Sequence, residues 1–246
     1  MNKLITSTAA IILFSTGMAF AADSGTPKWG YTGQGGPEHW GALSADFAAC
    51  SVGKEQSPVD IPQMEGAADA VKTQYGDTKL NVLNNGHTIQ LNYSEGSKLQ
   101  SEGVEYDLLQ LHFHSPSEHT INGKSFPLEV HFVHKAQNGT LAVVGVMFEE
   151  GAENAELAKI WKNTPKKANE VVTSDMMVNA GNLLPEDQTL IRYAGSLTTP
   201  PCSEGVKWHV MTSPIEASSG QIEKFLSIVQ ENNRPIQPLN ARHFTK

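Results

Sequence analysis

The sequence has few cysteines, no basic cluster and no long apolar segment beyond its N-terminus. Its 246 residues include two cysteines, Cys50 and Cys202, and no CxxC motif. The 26 acidic residues outnumber 18 basic ones, so the formal charge is −8. A nucleic-acid partner is not expected, because its phosphates would be repelled. After the N-terminal segment no stretch approaches about 18 consecutive apolar residues, so the mature chain is predicted to be soluble.

The first 21 residues have the features of a secretory signal peptide. A positive region with Lys3 precedes a mostly apolar stretch at 4–20, and Ala19-Phe20-Ala21 is a small-x-small cleavage pattern. We predict that residues 1–21 are removed, and the loss of Lys3 takes the formal charge from −8 to −9. A single domain is then predicted over residues 22–246, with no membrane anchor remaining.

Export determines how the two cysteines are interpreted. In an oxidising compartment, a single pair of cysteines favours a disulfide between Cys50 and Cys202 over two buried free thiols. The bond would close a loop that contains most of the mature chain. Chain entropy then predicts a stabilisation of about 4–5 kcal/mol.

Short alternating or apolar segments predict that strands dominate the domain. Strands are expected at 88–93, 108–114, 128–134, 141–148, 190–194 and 206–211. Apolar residues at helical spacing predict helices at 153–162 and 220–230, the second capped by Ser218 or Ser219. Gly and Pro are scattered as turn residues, without a repeat or a linker. The pattern indicates one mainly β domain.

Two of the predicted strands carry histidines in phase. Side chains alternate between the faces of a strand, so His112 and His114 share a face with Gln110. The opposite face of this strand is predicted to carry Leu109, Leu111 and Phe113. In the next strand, His131 shares a face with Glu129. Antiparallel pairing of the two strands would bring the third imidazole to the first two.

Three histidines in this arrangement predict a catalytic zinc site. Neutral imidazoles leave the charge of Zn²⁺ largely uncompensated, so a water at the open fourth position loses its proton near neutral pH. Gln110 and Glu129 each precede a ligand by two residues and are placed to accept a ring N–H. The histidines expected to be ordinary polar residues are His39, His134, His209 and His243.

A family resemblance extends over nearly the whole mature chain, from Trp29 to Arg242. The stretches that carry it are Trp29-Gly30-Tyr31, Gly36-Pro37-Glu38-His39-Trp40, Gln56-Ser57-Pro58-Val59-Asp60-Ile61, Asn84-Asn85-Gly86-His87, Gln110 to His114, Ser117-Glu118-His119-Thr120, Glu129 to His131, and Gly195-Ser196-Leu197-Thr198-Thr199-Pro200-Pro201. Through them the chain resembles the α-class carbonic anhydrases, particularly the exported bacterial ones. The resemblance implies one mainly β domain, with a large, mostly antiparallel, twisted β-sheet and short peripheral helices.

The activity implied by the resemblance is the zinc-dependent, reversible hydration of carbon dioxide to bicarbonate and a proton. In that reaction a zinc-bound hydroxide attacks carbon dioxide, and a histidine passes the released proton to solvent. His87 matches the shuttle position of the family. Thr198 matches the hydroxyl that accepts a hydrogen bond from the hydroxide and donates one to a carboxylate, here Glu118.

The resemblance also implies roles for other positions. The zinc ligands are His112, His114 and His131, with Gln110 and Glu129 behind them. The positions matching the carbon dioxide pocket are Val133, Val143, Leu197, Thr198, Thr199, Val206 and Trp208. Those matching the water network are Tyr31 and Asn85, and those matching the disulfide of exported members are Cys50 and Cys202. Cis peptide bonds are implied before Pro58 and Pro201.

Two positions depart from the pattern of many relatives. Ser115 follows the second ligand where animal relatives usually carry Trp, and Gln90 stands where many carry Asn. Neither residue is expected to contact zinc. The departures therefore concern the shape of the pocket and not the reaction.

Two other functions stay open at this point. The spacing His112-x-His114-x₃-Glu118 also occurs in cupins, in which Glu118 would bind iron or manganese in an oxygenase or isomerase. A non-enzymatic binding protein on the same fold is the third hypothesis, although all three histidines are present. Metal analysis together with a carbon dioxide hydration assay would separate the hypotheses.

Location and partners follow from the same features. The signal peptide and the bacterial resemblance predict a periplasmic protein. Its partner is the small-molecule substrate, carbon dioxide or bicarbonate, and the chain is expected to be a monomer or a homodimer.

Overall fold

The computed structural model describes residues 27–64 and 71–246. The predicted signal peptide and its cleavage site lie outside these ranges and stay predictions. The α-helices of the described residues are α1 (Trp40–Leu43), α2 (Ala49–Val52), α3 (Ala155–Lys162) and α4 (Ser219–Val229). Short 3₁₀ turns lie at Gly33–Gly35, Ala45–Phe47 and Ala180–Leu183. Within the described ranges, no helix combines the length and apolar character needed to cross a membrane.

Strands provide most of the regular structure. In chain order they are β1 (Asp60–Ile61), β2 (Lys72–Gln74), β3 (Asp77–Asn84), β4 (Ile89–Asn92), β5 (Lys98–Ser101), β6 (Val104–His114), β7 (Thr120–Ile121), β8 (Leu128–Ala136), β9 (Leu141–Glu150), β10 (Glu170–Asn179), β11 (Leu190–Ser196), β12 (Glu204–Met211) and β13 (Ile215–Ala217). Each of the six predicted strand segments overlaps one of them. The longest strands that the sequence pattern missed are β3 and β10.

Eleven of the described strands form one sheet. Its order is β10-β3-β4-β6-β8-β9-β12-β11, with β5 also paired to β6, β2 to β5, and β13 to β9. Strands β12 and β13 run parallel to β9, and the other described pairs in this sheet are antiparallel. Strands β1 and β7 form a separate parallel pair. The predicted mainly β fold with a large, mostly antiparallel sheet is confirmed.

One face of the sheet packs against the two longer helices. Phe113 of β6 contacts Trp161 of α3 and Phe225 of α4, with ring centroids 4.8 and 6.5 Å away. These rings belong to the main apolar core, whose burial holds the helices on the sheet. Both predicted helices are confirmed, and Ser218, with Gln221, forms the capping box of α4. The three histidines lie on the opposite face of β6 and β8.

The predicted phase of β6 is wrong at Leu109. Leu111 and Phe113 are buried as expected, but Leu109 is 42% exposed and Leu108 is buried in its place. The pairing of β6 with β8 shifts by one residue between Leu108 and Gln110. A β-bulge inserts one residue on one strand, so Leu109 turns outward while Gln110 keeps its phase with the histidines.

Candidate metal centre

The three predicted ligands converge where β6 pairs with β8. His112 and His131 are directly opposite each other in the antiparallel register. The ring centroids are 5.3 Å apart for His112 and His131, 4.6 Å for His114 and His131, and 5.0 Å for His112 and His114. One nitrogen of each ring lies within 4.8 Å of the other two. The structure therefore brings the three imidazoles to one point, as strand alternation predicted.

Gln110 and Glu129 each contact the histidine two residues later. His112 Nδ1 donates to Gln110 Oε1 over 2.9 Å, and His131 Nε2 donates to Glu129 Oε1 over 2.7 Å. Because these oxygens accept the ring hydrogens, His112 Nε2 and His131 Nδ1 keep their lone pairs for another partner. The contacts fix the tautomer and the orientation of each ring.

The third histidine is oriented by Asn232, a residue that no sequence pattern indicates. His114 Nδ1 donates to the backbone oxygen of Asn232 over 2.8 Å, which leaves Nε2 for a metal ion. Asn232 follows α4 in a segment without regular structure. No periodicity or motif marks this position, because it is brought to His114 by the path of the chain.

Glu129 is a buried carboxylate with both oxygens occupied. Oε1 accepts from His131 Nε2 and from His119 Nδ1, at 2.7 and 2.8 Å. Oε2 accepts from the backbone N–H groups of Glu118 and His119, at 2.8 and 2.9 Å. Burial raises the pKa of Glu129, but the nearby His119 and His131 and their hydrogen bonds bring that pKa well below its ordinary value. The group His119, Glu129 and His131 is thus joined internally and is not a second metal site.

The protonation of the ligands suits a metal ion. Burial, and then the neighbouring histidines, hold the pKa of His112 well below its ordinary value, and burial also lowers that of His114. Burial lowers the pKa of His131 too, but Glu129 and Glu118 more than offset this and raise it. A metal ion at His131 Nδ1 would take the place of that proton, while the other two imidazoles are already neutral.

Two buried atoms of the site have no hydrogen-bond partner among the described residues. They are His114 Nε2 and Glu118 Oε2, 3.5 Å apart. Buried polar atoms are normally hydrogen-bonded. A buried ring nitrogen without a partner, close to nitrogens of two other imidazoles, therefore indicates a metal site. Three imidazole nitrogens with an open fourth position match the donors of catalytic zinc sites, so the residues fit zinc.

Glu118 lies beside the ligands. Its Oε1 accepts from the backbone N–H of Arg234 over 2.9 Å, and its Oε2 is 3.9 Å from His131 Nδ1. Thr198 is buried in the turn that follows β11. Because Oε2 has no hydrogen-bond partner within the described chain, the expected contact from Thr198 to Glu118 is not formed in this structure and stays a prediction.

The residues expected to hold carbon dioxide form an apolar wall next to His131. Those that belong to one apolar cluster are Val133, Val143, Leu197, Val206 and Trp208. Val133, Val143 and Trp208 are cross-strand neighbours on β8, β9 and β12. The ring of Trp208 lies 4.9 Å from that of His131. The apolar wall therefore begins at a ligand, and Thr199 lies half-buried beside Thr198 at the turn after β11.

His87 lies on the turn between β3 and β4. It is half-buried and stacks on Trp29, with ring centroids 3.7 Å apart. Burial lowers the pKa of its imidazole. Asn85 Oδ1 accepts from the backbone N–H of His87 over 2.9 Å and so shapes this turn. Burial, and then the charge of Glu118, raise the pKa of Tyr31 well above its ordinary value.

The remaining histidines divide by location. His134 and His209 are buried, whereas His243 is exposed and His39 is half-buried. His119, for which the sequence patterns predict no role, links Glu129 to Tyr193 in the interior. Its Nε2 is 2.6 Å from the hydroxyl of Tyr193.

The predicted disulfide is present. Cys50 and Cys202 are bonded, with Cα atoms 5.0 Å apart. The backbone oxygens of both cysteines accept hydrogen bonds, from Arg234 Nη2 and Gln56 Nε2 respectively. Cis peptide bonds precede Pro58 and Pro201, as expected, and also Pro116.

Comparison with known proteins gives concordant matches over most of the chain. The family model described as eukaryotic-type carbonic anhydrase matches residues 35–246. A carbonic anhydrase of Pectobacterium atrosepticum is 45% identical over 235 residues, which are 95% of this chain and 96% of the relative. One of Neisseria gonorrhoeae is 46% identical over 238 residues, 96% of this chain and 94% of the relative.

A solved structure gives the same result at the level of the fold. The α-carbonic anhydrase of Thermovibrio ammonificans, in complex with the inhibitor sulfanilamide, superposes with a TM-score of 0.87 at 45% identity. The match covers 90% of this chain and 100% of that one.

Proposed function

The chain belongs to the α-class carbonic anhydrases, and from this premise we propose that it hydrates carbon dioxide reversibly with a zinc ion and a histidine proton shuttle. The family implies the hydration reaction, and the zinc ion and the shuttle are what the proposal adds. The observation that carries it is the convergence of three imidazole nitrogens beside an apolar wall.

The ligands proposed to hold zinc are His112, His114 and His131. When bound, zinc lowers the pKa of a water at its open position, the property for which carbonic anhydrases are the standard example. Gln110 and Glu129 orient two of the rings before metal binds, so the site needs little rearrangement on loading.

The apolar wall is proposed to receive carbon dioxide. The substrate is nonpolar and needs few hydrogen bonds, so Val143, Val206 and Trp208 suit it by excluding water. Because Trp208 contacts His131, a molecule against this wall lies next to the metal centre. The wall would hold the substrate near the attacking water without binding the charged product equally well.

We assign Thr198 and Glu118 to the orientation of the attacking water. Glu118 Oε2 lacks a donor within the described residues, and the Thr198 hydroxyl is proposed to supply it. The N–H of Arg234 already holds the other carboxylate oxygen. When the Thr198 hydroxyl donates its hydrogen bond to Glu118, the Thr198 oxygen can only accept from the attacking water. The water then directs its hydrogen at Thr198 and a lone pair at the substrate carbon.

His87 is proposed to carry the released proton to solvent. Its ring is half-buried, so it can contact both the interior and bulk water. A lowered pKa favours release of the proton once it has been accepted. Tyr31 and Asn85 are proposed to order the water molecules between His87 and the metal centre.

A stopped-flow hydration assay tests the proposal. The protein is measured as prepared, after removal of metal by a chelator, and after addition of Zn²⁺. Activity that is lost with the metal and restored by Zn²⁺ is expected, and His112→Ala should abolish the restoration. His243→Ala is the control, because His243 is exposed and outside the centre. A protein that binds zinc without hydrating carbon dioxide would support a non-enzymatic binding role instead.

The cupin hypothesis is overturned by the family assignment, since the chain belongs to another family over residues 35–246. Neither of the two groups of possible metal ligands among the described residues includes Glu118. Periplasmic location after removal of residues 1–21 remains part of the proposal. N-terminal sequencing of protein from a periplasmic extract is expected to begin at Ala22.

A further inference from the structure

We infer that the side chain of Asn232 is a positioning residue that couples the segment carrying His87 to the strand carrying His114. The inference rests on the proposed function, because it concerns a zinc ligand and the proposed proton shuttle. No pattern in the sequence indicates Asn232, which lies between the two segments in the structure.

Asn232 is completely buried, and its side-chain amide makes hydrogen bonds to two different segments. Its Nδ2 donates to the backbone oxygen of His87 and to that of Phe113, each over 2.9 Å. Its Oδ1 accepts from the backbone N–H of Ser115 over 2.8 Å. One rigid, planar group thus holds the turn of His87 at a set distance from the end of β6.

The backbone of Asn232 is bound to the same strand end. Its N–H donates to the oxygen of Ser115 over 3.1 Å, and its own oxygen accepts from His114 Nδ1. The residues around Asn232 have no regular structure that could hold this oxygen by a ladder of hydrogen bonds. The position of the acceptor for His114 therefore depends on how the Asn232 side chain is anchored.

Removal of the Asn232 side-chain amide would mainly affect the backbone oxygen of His87. The oxygen of Phe113 also accepts from Thr88 Oγ1, so it keeps a donor when Asn232 Nδ2 is removed. For the oxygen of His87, Asn232 Nδ2 is the donor identified among the described residues. A partly buried carbonyl that loses its donor is unfavourable, so the turn would move until that oxygen reaches water. The stacked position of His87 on Trp29 would move with it.

This arrangement predicts two linked effects of one substitution. Displacement of His87 slows proton transfer, and displacement of the Asn232 oxygen loosens His114 and with it the zinc ion. Removal of a partner that orients a metal ligand lowers metal affinity or activity about 10–100-fold in other proteins. A purely structural role for Asn232 would lower stability without either effect.

The test compares zinc-loaded Asn232→Ala with the wild type and with Asn154→Ala. Asn154 is a suitable control because its side chain, like that of Asn232, hydrogen-bonds to the backbone: Asn154 Oδ1 accepts from the N–H groups of Glu156 and Leu157 at the start of α3, away from the centre. Zinc release to an excess of chelator gives the first readout. Turnover in weak buffer, relative to turnover with added imidazole, gives the second.

We expect Asn232→Ala to release zinc about tenfold faster and to lose about tenfold in weak-buffer turnover, most of which imidazole restores. In a His87→Ala background, Asn232→Ala should lower weak-buffer turnover no further, because it acts through His87. Asn154→Ala should lower thermal stability and leave both readouts within twofold of the wild type. If Asn232→Ala does not fold, Asn232→Ser is measured in the same way.

The inference is overturned if the Asn232 variant keeps both readouts within twofold of the wild type, or if its turnover defect adds fully to that of His87→Ala. These outcomes presuppose an active wild type. A wild type that shows no zinc-dependent hydration contradicts the proposed function itself, so the two failures are distinguishable.

Discussion

At the scale of single residues, Glu129 is a buried charge that orients a histidine of the proposed metal site. Two ring N–H groups and two backbone N–H groups surround its oxygens. Four donors compensate the cost of burying the carboxylate and keep it ionised. The ionised group in turn holds His131 with Nδ1 toward the other two ligands.

Glu129→Gln should weaken zinc binding by about 10–100-fold, because the amide brings two hydrogens where all four neighbours are donors. Competition with a zinc chelator measures the affinity. Glu153→Gln is the matched control, since Glu153 is exposed and remote from the ligands. Unchanged zinc affinity in Glu129→Gln would contradict the role given to this carboxylate.

His87→Ala should lower turnover in weak buffer about tenfold or more, because proton transfer by a placed side chain contributes about 10²–10⁴-fold. Added imidazole should restore most of the rate by carrying the proton from solution. The measurement is kcat for hydration, by stopped flow, at different buffer concentrations. His39→Ala is the control. Equal rates for His87→Ala and the wild type in every buffer would remove the shuttle role.

At the scale of elements, the centre depends on the register between β6 and β8. His112 opposes His131 only because the bulge after Leu108 sets the pairing that follows it. Before the bulge, Tyr106 and Leu108 of β6 point into the main apolar core. After it, Leu111 and Phe113 point into that core, and His112 and His114 lie on the opposite face of the strand. Helices α3 and α4 pack against the opposite face of the sheet, at Phe113.

Ser218→Ala should lower the free energy of unfolding by about 1 kcal/mol, because the Ser218 hydroxyl caps α4 and Gln221 completes the capping box. Urea denaturation measures the change. Ser219→Ala, at the first residue of the helix, should leave stability nearly unchanged. A larger loss of unfolding free energy in Ser219→Ala than in Ser218→Ala would show that the cap is at Ser219.

At the scale of the whole molecule, two buried histidines away from the metal centre tie stability to pH. His134 Nε2 is 2.8 Å from the Tyr75 hydroxyl, and burial lowers its pKa to about 3. His209 Nε2 is 2.8 Å from Ser101 Oγ, and burial, followed by the charge of Arg192, lowers its pKa to about 4. Neither accepts a proton readily while the protein is folded.

Stability should therefore fall as the pH drops below about 6.5, the ordinary pKa of histidine, toward 4. In this window the unfolded chain binds protons at His134 and His209 that the folded chain does not bind. The free energy of urea unfolding, measured on metal-free protein between pH 8 and 4.5, should decrease less steeply for His134→Gln than for the wild type. His243→Gln, at an exposed site, should follow the wild type, and parallel curves for all three proteins would contradict the prediction.

Strand alternation within the sequence determined the faces of His112, His114 and His131 and the placing of Gln110 and Glu129 behind two of them. These relations are local, because a period of two residues fixes which side chains share a face. The six predicted strands follow from the same period, and the two helices follow from apolar residues at helical spacing. The family resemblance supplied the pocket residues, and five of them form one apolar cluster in the structure.

Only the tertiary structure decided the contacts between distant segments. Four features depend on partners in other segments of the chain. They are the outward turn of Leu109, the pairing of β3 with β10, the hydrogen bonds of His119 to Glu129, and those of Asn232 to the His87 turn and the end of β6. A sequence pattern records the period of one element and carries no register between elements or path for an irregular segment. The convergence of the three histidines could therefore be predicted from their own strands, whereas the residue that orients His114 could not.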